Sequence, residues 1–337
     1  MNDNGSLFND DDLFGSAEPV VRETRQPEPE SAPYAARYSN SRIKPISLDG
    51  LNPMQREAAE HVDGPLLVVA GAGSGKTRVL THRIAHLISN HGVSPMNVLA
   101  ITFTNKAAGE MKHRVESLIG PVAKSMWVST FHSACVRILR VHAERIGYPK
   151  TFSIYDQADA QRLTGYVIRD MGLDAKRFTP RAVHAVISNW KNELVSPTQA
   201  AERAAHIFDR KHSEIYREYQ ERLLKAGAMD FDDLLVNVVR LFRMHTDVLA
   251  SYQDRFKYIL VDEYQDTNIA QNEIVLSLAA RHHNVCVVGD TDQSIYAFRG
   301  ADFRNIGQFE DAFDEVSVVV LEQNYRSTQN ILDAANA

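Results

Sequence analysis

The sequence predicts an α/β fold. Its parallel sheet has a first strand ending in a glycine loop, a mostly α-helical insertion interrupts it, and a disordered acidic tail precedes it. Three observations carry that prediction. One is the run Leu66–Thr81, LLVVAGAGSGKTRVLT, in which five apolar residues give way to alternate glycines and then to a helical spacing at Val79, Leu80 and Ile84. Another is alternation: short apolar runs recur between stretches of helical period, the pattern of parallel strands joined by helices. The third is position. A polar or glycine-rich segment follows the C-terminal end of six such runs, and in open α/β sheets ligands bind at that edge.

Length and composition narrow the classes. A chain of 337 residues with 44% hydrophobic and 24% charged residues has the makings of two or three globular domains. No apolar run reaches membrane-spanning length, and the start, MNDNGSLFNDDD, lacks a basic then apolar signal. Cys135 and Cys286 are the only cysteines, so no disulfide framework is expected and a reducing cytoplasm is. His82 and His86 lie one helical turn apart, but with no third ligand they read as a solvated helix face. The net charge of −6 belongs to the tail, where residues 1–31 hold eight acids against two arginines. Residues 132–229 hold 16 Lys+Arg against 11 Asp+Glu, and the flanking parts 19 against 24. A basic insert on an acidic body suits contact with a phosphate backbone, and a solvated surface accounts for it equally.

Residues 1–44, rich in Asp, Glu, Pro, Ser and Asn, are expected to be disordered. Within them SLFNDDDLFG brackets an acidic run with Leu7, Phe8, Leu13 and Phe14, a candidate docking motif for a protein partner beside the plainer reading of a solvated tail. A helix opens at Asn52, with Pro53 in the first position and Gln55 three residues past the cap. Gln55 either completes a capping box or faces the adenine edge of a nucleotide, and spacing leaves both open. The strand Leu66–Ala70 then meets its glycine loop. Lacking Cβ atoms, such a loop turns its N–H groups inward, while the following helix N-terminus adds partial positive charge. Ala72, Gly73 and Gly75 would cradle a nucleoside triphosphate, Lys76 would reach its β- and γ-phosphates, and Thr77 would ligate Mg²⁺. The strict pattern has Gly where this chain has Ala70.

A second strand, Val98–Thr102, runs into Phe103 and a helix opening near Asn105, and a third, Met126–Ser129, into Thr130, Phe131 and His132. Residues 132–229 are broken by Pro149, Pro180 and Pro197 and show no strongly alternating strand. An amphipathic helix follows over Phe231–Phe242. The fourth strand, Tyr258–Val261, ends in Asp262, suited to hold Mg²⁺, and Glu263, suited to activate the attacking water. The fifth, Val285–Val288, leads into GDTDQSIYAFRGA, where Gln293 is placed to touch the γ-phosphate or that water. The sixth, Val316–Leu321, leads into EQNYRS. Arg299 and Arg326 follow strands on the ligand edge and are candidates for neutralising transition-state charge, with surface roles as the alternative. Phe103, Trp127, Phe131, Tyr296, Phe298 and Tyr325 lie at or just beyond strand ends, where a ring can stack a nucleic-acid base. Core packing is the alternative reading for Trp127 and Phe131.

Together LNPMQREAA, AGAGSGKTR, TFTNKAA, STFH, ILVDEYQDTN, VVGDTDQSIYAFRGA and LEQNYRS resemble the UvrD/Rep/PcrA-type superfamily 1 DNA helicases, in family order from about residue 48 to 337. The resemblance implies a RecA-like motor domain in two parts, 45–131 and 230–320, an inserted helical subdomain over 132–229, and the start of a second RecA-like domain at 321–337. It implies that Gln55 reads adenine, that Arg78 and Tyr325 sandwich the ring, and that Lys76, Thr77, Asp262 and Glu263 take the roles given above. Gln293 falls on the γ-phosphate sensor and Arg326 on the first arginine finger. Phe103, Asn105, Phe131, His132, Tyr296 and Phe298 fall where the family grips single-stranded DNA, with Arg299 linking that grip to ATP. Many relatives carry Trp at the place of Phe298, which predicts weaker stacking. The implied activity is ATP- and Mg²⁺-dependent translocation, 3′ to 5′, on single-stranded DNA and at single-strand/duplex junctions, with unwinding in repair or replication. Rival readings are the motor of a helicase–nuclease and an ATP-gated module that strips proteins from DNA. Because the second wall of the ATP cleft would lie past residue 337, this chain alone is expected to bind ATP and DNA weakly, turn over slowly and not unwind.

Overall fold

Six strands that run parallel to one another form the central sheet, in the order β3-β2-β6-β7-β1-β8. The computed structural model describes residues 43–290 and 304–328. The strands are β1 (Leu66–Ala70), β2 (Val98–Thr102), β3 (Trp127–Thr130), β6 (Tyr258–Val261), β7 (Val285–Gly289) and β8 (Ser317–Leu321), each within a residue of its predicted bounds. Their side chains alternate strictly between faces. Leu66, Val68, Val98, Ala100, Leu260, Cys286 and Val288 pack on one side, under α2 (Lys76–Ser89) and α3 (Asn105–Ile119). Leu67, Leu99, Ile101, Ile259, Val261, Val285 and Val287 pack on the other. There they meet α4 (Phe131–His142), α9 (Phe231–Met244), α10 (Thr246–Arg255) and α11 (Ile269–Ala279). Burial on both faces is why β1, β2, β6 and β7 read as unbroken apolar runs, whereas the edge strand β8 leaves Val318 and Val320 exposed.

Several helices that follow strands open on side-chain caps, while α2 starts at Gly75 without one. Thr104 and Thr130 accept the N–H groups of Ala107 and Ser133, and Asp230 with Asp233, like Asn268 with Gln271, closes a capping box. α1 (Pro53–Glu60) begins with the same device, built from Asn52 and Gln55.

The insertion contains α5 (Gln157–Asp170), α6 (Pro180–Asn192), α7 (Pro197–Glu202) and α8 (Ile207–Lys225), which close a core of their own around Val167, Ile187, Tyr216, Tyr219 and Leu223. Its separate packing begins later than residue 132. The buried face of α4, including Phe131, Cys135 and Ile138, belongs to the main core with Leu234 and Val238 of α9. Two strands not anticipated from sequence, β4 (Ser153–Tyr155) and β5 (Ala228–Asp230), pair in parallel and bracket the helices. Three residues are too few to show alternation, so they left no periodic signal. Where α6, α8 and α9 meet, Lys191 is sealed in. Its side chain is 1% exposed, with Nζ 2.7 Å from Asp230 Oδ2 and 2.8 Å from Asp233 Oδ1. The Tyr219 hydroxyl donates to the same Asp230 oxygen at 2.8 Å. Burial opposes the lysine's charge, but the two carboxylates outweigh it and hold Lys191 well above the usual range. Among the described residues no helix is long and apolar enough to cross a membrane.

Candidate nucleotide-binding site

The loop between β1 and α2 is held from outside by its carbonyls. Ser74 Oγ donates to Gly71 O at 2.7 Å, Asn324 Nδ2 to Ala72 O at 2.6 Å, Tyr325 N–H to Gly73 O at 2.9 Å and Gln55 Nε2 to Ser74 O at 2.8 Å. Four successive carbonyls are engaged in this way, and the Ser74 N–H bonds back to Gly71 O at 3.3 Å. The first amides of α2 have no carbonyl a turn before them, which makes this helix start a donor site suited to an anion. Gly73 (φ +75°) and Gly75 (φ +91°) make that path possible. A Cβ on Gly73 would come within 2.5 Å of Arg326 Cβ, and one on Gly75 within 2.7 Å of Gln55 Nε2.

Lys76, the first residue of α2, projects into the cradle. Its side chain is 10% exposed, and Nζ lies 3.6 Å from both Glu263 Oε2 and Asp290 Oδ2. Nζ is buried yet makes no hydrogen bond among the described residues. A buried ammonium with three donors and no acceptor is poised for an anion. Strand order explains the grouping. β7 lies between β1 and β6, so the residue at its C-terminal tip, Asp290, falls between the β1 loop and the β6 carboxylates. Sequence reasoning missed Asp290, because only the order β6-β7-β1 singles it out among the polar residues of its loop.

Asp262 is buried beside Glu263, whose backbone N–H donates to Asp262 Oδ1 at 3.1 Å. Burial first, and then the neighbouring Glu263 charge, pushes Asp262 up to about 7. Glu263 occupies the left-handed region (φ +53°, ψ +48°), a strained conformation for a residue with a side chain. Gln265, also missed from sequence, is 1% exposed and joins two strand tips: Nε2 donates to Glu263 Oε2 at 2.9 Å, and Oε1 accepts the Asp290 N–H at 3.0 Å.

At the cradle's rim the structure gathers the residues expected around a base. Arg78 donates to Gly50 O at 2.7 Å, and Asn52 Nδ2 donates to the Tyr325 hydroxyl at 2.8 Å, so both sit against the loop 50–52. Tyr325 is 56% exposed, its ring available to a ligand. Gln55 is a genuine capping residue, and its amide also touches the glycine loop. Thr77 occupies the first turn of α2 beside Lys76. Arg326 is anchored by its backbone N–H on Asn324 Oδ1 at 2.8 Å, with its Cβ over Gly73.

The expected DNA strip divides. Phe103 and His132 line a cavity of about 810 Å³ between the sheet edge and the insertion, together with Asn192, Phe231 and Asp266. Asn105 is exposed and adjoins Thr130 and Ser133 at the same edge. Phe131 does not join them. At 5% exposure its ring packs in the main core, so the expectation of a DNA contact there is corrected: its side chain turns under α4, away from the edge its neighbours occupy. Trp127 is likewise core, against Tyr252 and Phe256. Gln293, Tyr296, Phe298 and Arg299, and the motif SLFNDDDLFG, lie outside the described residues.

Residues 51–314 match the family described as the UvrD/REP helicase N-terminal domain. The chain belongs to the UvrD/Rep helicase family. It is 55% identical over 289 residues to the ATP-dependent DNA helicase PcrA of Bacillus subtilis strain 168, a match covering 86% of this chain and 39% of that protein. The PcrA proteins of Staphylococcus aureus strain Mu50 (over 289 residues) and Staphylococcus epidermidis (over 286 residues) are each 52% identical, with 40% and 39% of their lengths covered. The chain thus spans about two fifths of the length of these UvrD/Rep family relatives.

Proposed function

We propose that the protein is an ATP-dependent DNA helicase or translocase, moving 3′ to 5′ along single-stranded DNA, acting at single-strand/duplex junctions in repair or replication, and working in the cytoplasm. The observation that carries this reading is Lys76 Nζ, buried without a hydrogen bond among the described residues, beside a loop whose carbonyls from Gly71 to Ser74 are already engaged. A triphosphate would complete what that site lacks. Its donor set also fits Mg²⁺: one hydroxyl on Thr77 and one carboxylate on Asp262, the hard oxygen ligands that ion takes. A cation beside Asp262 would also offset the burial that pushes its carboxyl up. Bound there, Mg²⁺ would neutralise charge on the β- and γ-phosphate oxygens.

The remaining work falls to side chains. Lys76 leaves its carboxylates for the phosphates. Glu263 takes a proton from the water that attacks the γ-phosphorus, while the bond to the β–γ bridging oxygen breaks and ADP leaves with the electron pair. Arg326 and Gln293 stabilise the transferring group. Arg78, Tyr325 and Gln55 hold the base, and Phe103, Asn105 and His132, with Tyr296, Phe298 and Arg299, hold DNA. In this reading the strands around the site form a RecA-like motor domain and the helices of the insertion contact duplex. The decisive experiment measures ATP hydrolysis by the complete protein with and without single-stranded DNA, and strand separation beside it. Stimulation by DNA and its loss in Lys76→Ala are expected. Hydrolysis indifferent to both would refute the reading.

A further inference from the structure

We propose that Gln265 is the positioning residue for Glu263, holding that carboxylate in place once ATP has drawn Lys76 away and tying it to the tip of β7. The inference rests on the nucleotide-site reading above and adds to it a residue with no direct contact with substrate.

Among the described residues two groups touch Glu263 Oε2: Lys76 Nζ at 3.6 Å and Gln265 Nε2 at 2.9 Å. Both act on the same oxygen, which leaves Oε1 as the oxygen able to take a proton from water. The lysine contact is an ion pair that anionic phosphates displace, since they offer the ammonium more charge at hydrogen-bonding distance. Among the described residues only the amide then keeps Glu263 aimed. Aim matters because the Glu263 backbone is in the left-handed region, where relaxation would swing the side chain.

Gln265 cannot drift in turn. It is 1% exposed, its Oε1 is fixed by the Asp290 N–H at 3.0 Å, and a Cβ on Gly289 would come within 3.2 Å of that same atom. The amide orientation is dictated: the Asp290 N–H needs an acceptor and the Glu263 carboxylate needs a donor. One planar group therefore fixes the distance between the tips of β6 and β7. A shift of Asp290 pulls, through the amide, on the catalytic carboxylate. Proximity alone would not give this coupling, because Lys76 contacts both tips only until a nucleotide arrives.

The test compares Gln265→Met, which keeps length and loses both hydrogen bonds, with Gln265→Glu, which keeps an acceptor for Asp290 and loses the donor to Glu263. Fluorescence titrations measure affinity for Mg·ADP and for Mg·ADP–aluminium fluoride, whose fluoride mimics the transferring phosphoryl group, and steady-state assays on the complete protein give kcat and KM. Both variants are expected to bind ADP within about twofold of the parent while losing roughly tenfold or more in affinity for the aluminium fluoride complex. Their kcat should fall by a similar factor with KM little changed. Equal losses for both ligands with a lowered melting temperature would reveal a purely structural role and overturn the proposal, as would no loss for either. Should Gln265→Met fail to fold, Gln265→Glu, with its Asp290 contact kept, gives the same reading. If the parent protein binds neither ligand, the nucleotide-site reading itself fails, an outcome distinct from a parent that binds both and a variant that loses neither.

Discussion

Two clusters in this protein have the same composition, one lysine between two carboxylates, and opposite states. In the insertion Lys191 is 1% exposed and touches Asp230 and Asp233 at 2.7 and 2.8 Å, with Tyr219 completing the set. In the sheet Lys76 is 10% exposed, stands 3.6 Å from Glu263 and Asp290, and has no hydrogen bond among the described residues. The first is closed: every charge has a short partner, and nothing could be added without breaking one. The second is held open, its acids kept at a distance by their strands. Ion pairs that serve the fold satisfy themselves, and those that serve a ligand are left short of it.

The widest separation should come from removing each lysine. Lys191→Met leaves two buried carboxylates facing each other and is expected to cost about 3–5 kcal/mol of stability, read from chemical denaturation, with ATP affinity unchanged in the molecules still folded. Lys76→Ala should do the reverse. Turnover is expected to fall by roughly 10²–10³-fold, as when a donor to transition-state charge is deleted, with the denaturation midpoint little moved. If both variants proved equally unstable, the contrast would be wrong.

Only one of the two clusters was legible in the sequence. Lys76 was found because glycines at fixed spacing and a helix start surround it, and Asp262 and Glu263 because they end an apolar strand. Lys191 sits in the unremarkable stretch NWKNEL, and its acids in MDFDDL, 39 or more residues away; neither carries a local signal. The six long strands were legible for the same reason as the glycine loop, since each is a local pattern. What stayed hidden depends on order in space: Asp290 through the placing of β7 between β1 and β6, Gln265 through its two strand tips, and the short pair β4 and β5. Phe131 shows the converse error. Its motif neighbours line the cavity, but the turn of α4 buries it.

A pH series sharpens the comparison with a smaller effect. Burial, followed by the charge of Asp230, pushes half-buried Asp232 up to about 7 and Asp233 up to about 6, and in the sheet burial with Glu263 lifts Asp262 to about 7. These groups bind protons more tightly folded than unfolded, where the ordinary value is 3.8. Their stabilisation is thus complete below about pH 4 and is lost as pH rises through 6 to 7. Thermal melts of the nucleotide-free protein should fall across that window, and Asp232→Asn should flatten the fall. Mg²⁺ with ADP should flatten only the part due to Asp262, because the acids around Lys191 lie away from the nucleotide loop and, among the described residues, form no metal-holding group. A slope that Mg·ADP abolishes entirely would mean that the acids beside Lys191 contribute nothing.

Gly73→Ala should have a more local effect. At φ +75° a Cβ costs about 1–2 kcal/mol, and here it would also meet Arg326 Cβ at 2.5 Å. The loop can shed the clash only by pushing residues 324–326 away, which breaks the Asn324 and Tyr325 clamps on the carbonyls of Ala72 and Gly73. Nucleotide affinity should fall severalfold, and proteolysis near Asn324 should speed up. Protection equal to the parent's would show that the segment does not depend on the loop.

The smallest effect is at Gln55, where two readings that sequence spacing set against each other prove compatible. A carboxamide has two N–H donors and two acceptor lone pairs. Gln55 spends one acceptor on the Asn52 N–H at 3.2 Å and one donor on Ser74 O at 2.8 Å. One donor and one acceptor remain, the pair that matches the N6 and N7 edge of adenine. Gln55→Ala should therefore cost about 0.5–1 kcal/mol of stability without nucleotide, through the capping box, because Asn52 still caps the helix by itself. It should separately erode the preference for ATP over GTP by about 1 kcal/mol, since guanine offers an acceptor where adenine offers a donor. Competition binding with the two nucleotides measures the second loss, and denaturation of the free protein the first. A variant that lost stability and kept its full ATP preference would confine Gln55 to the helix end and leave adenine to Arg78 and Tyr325.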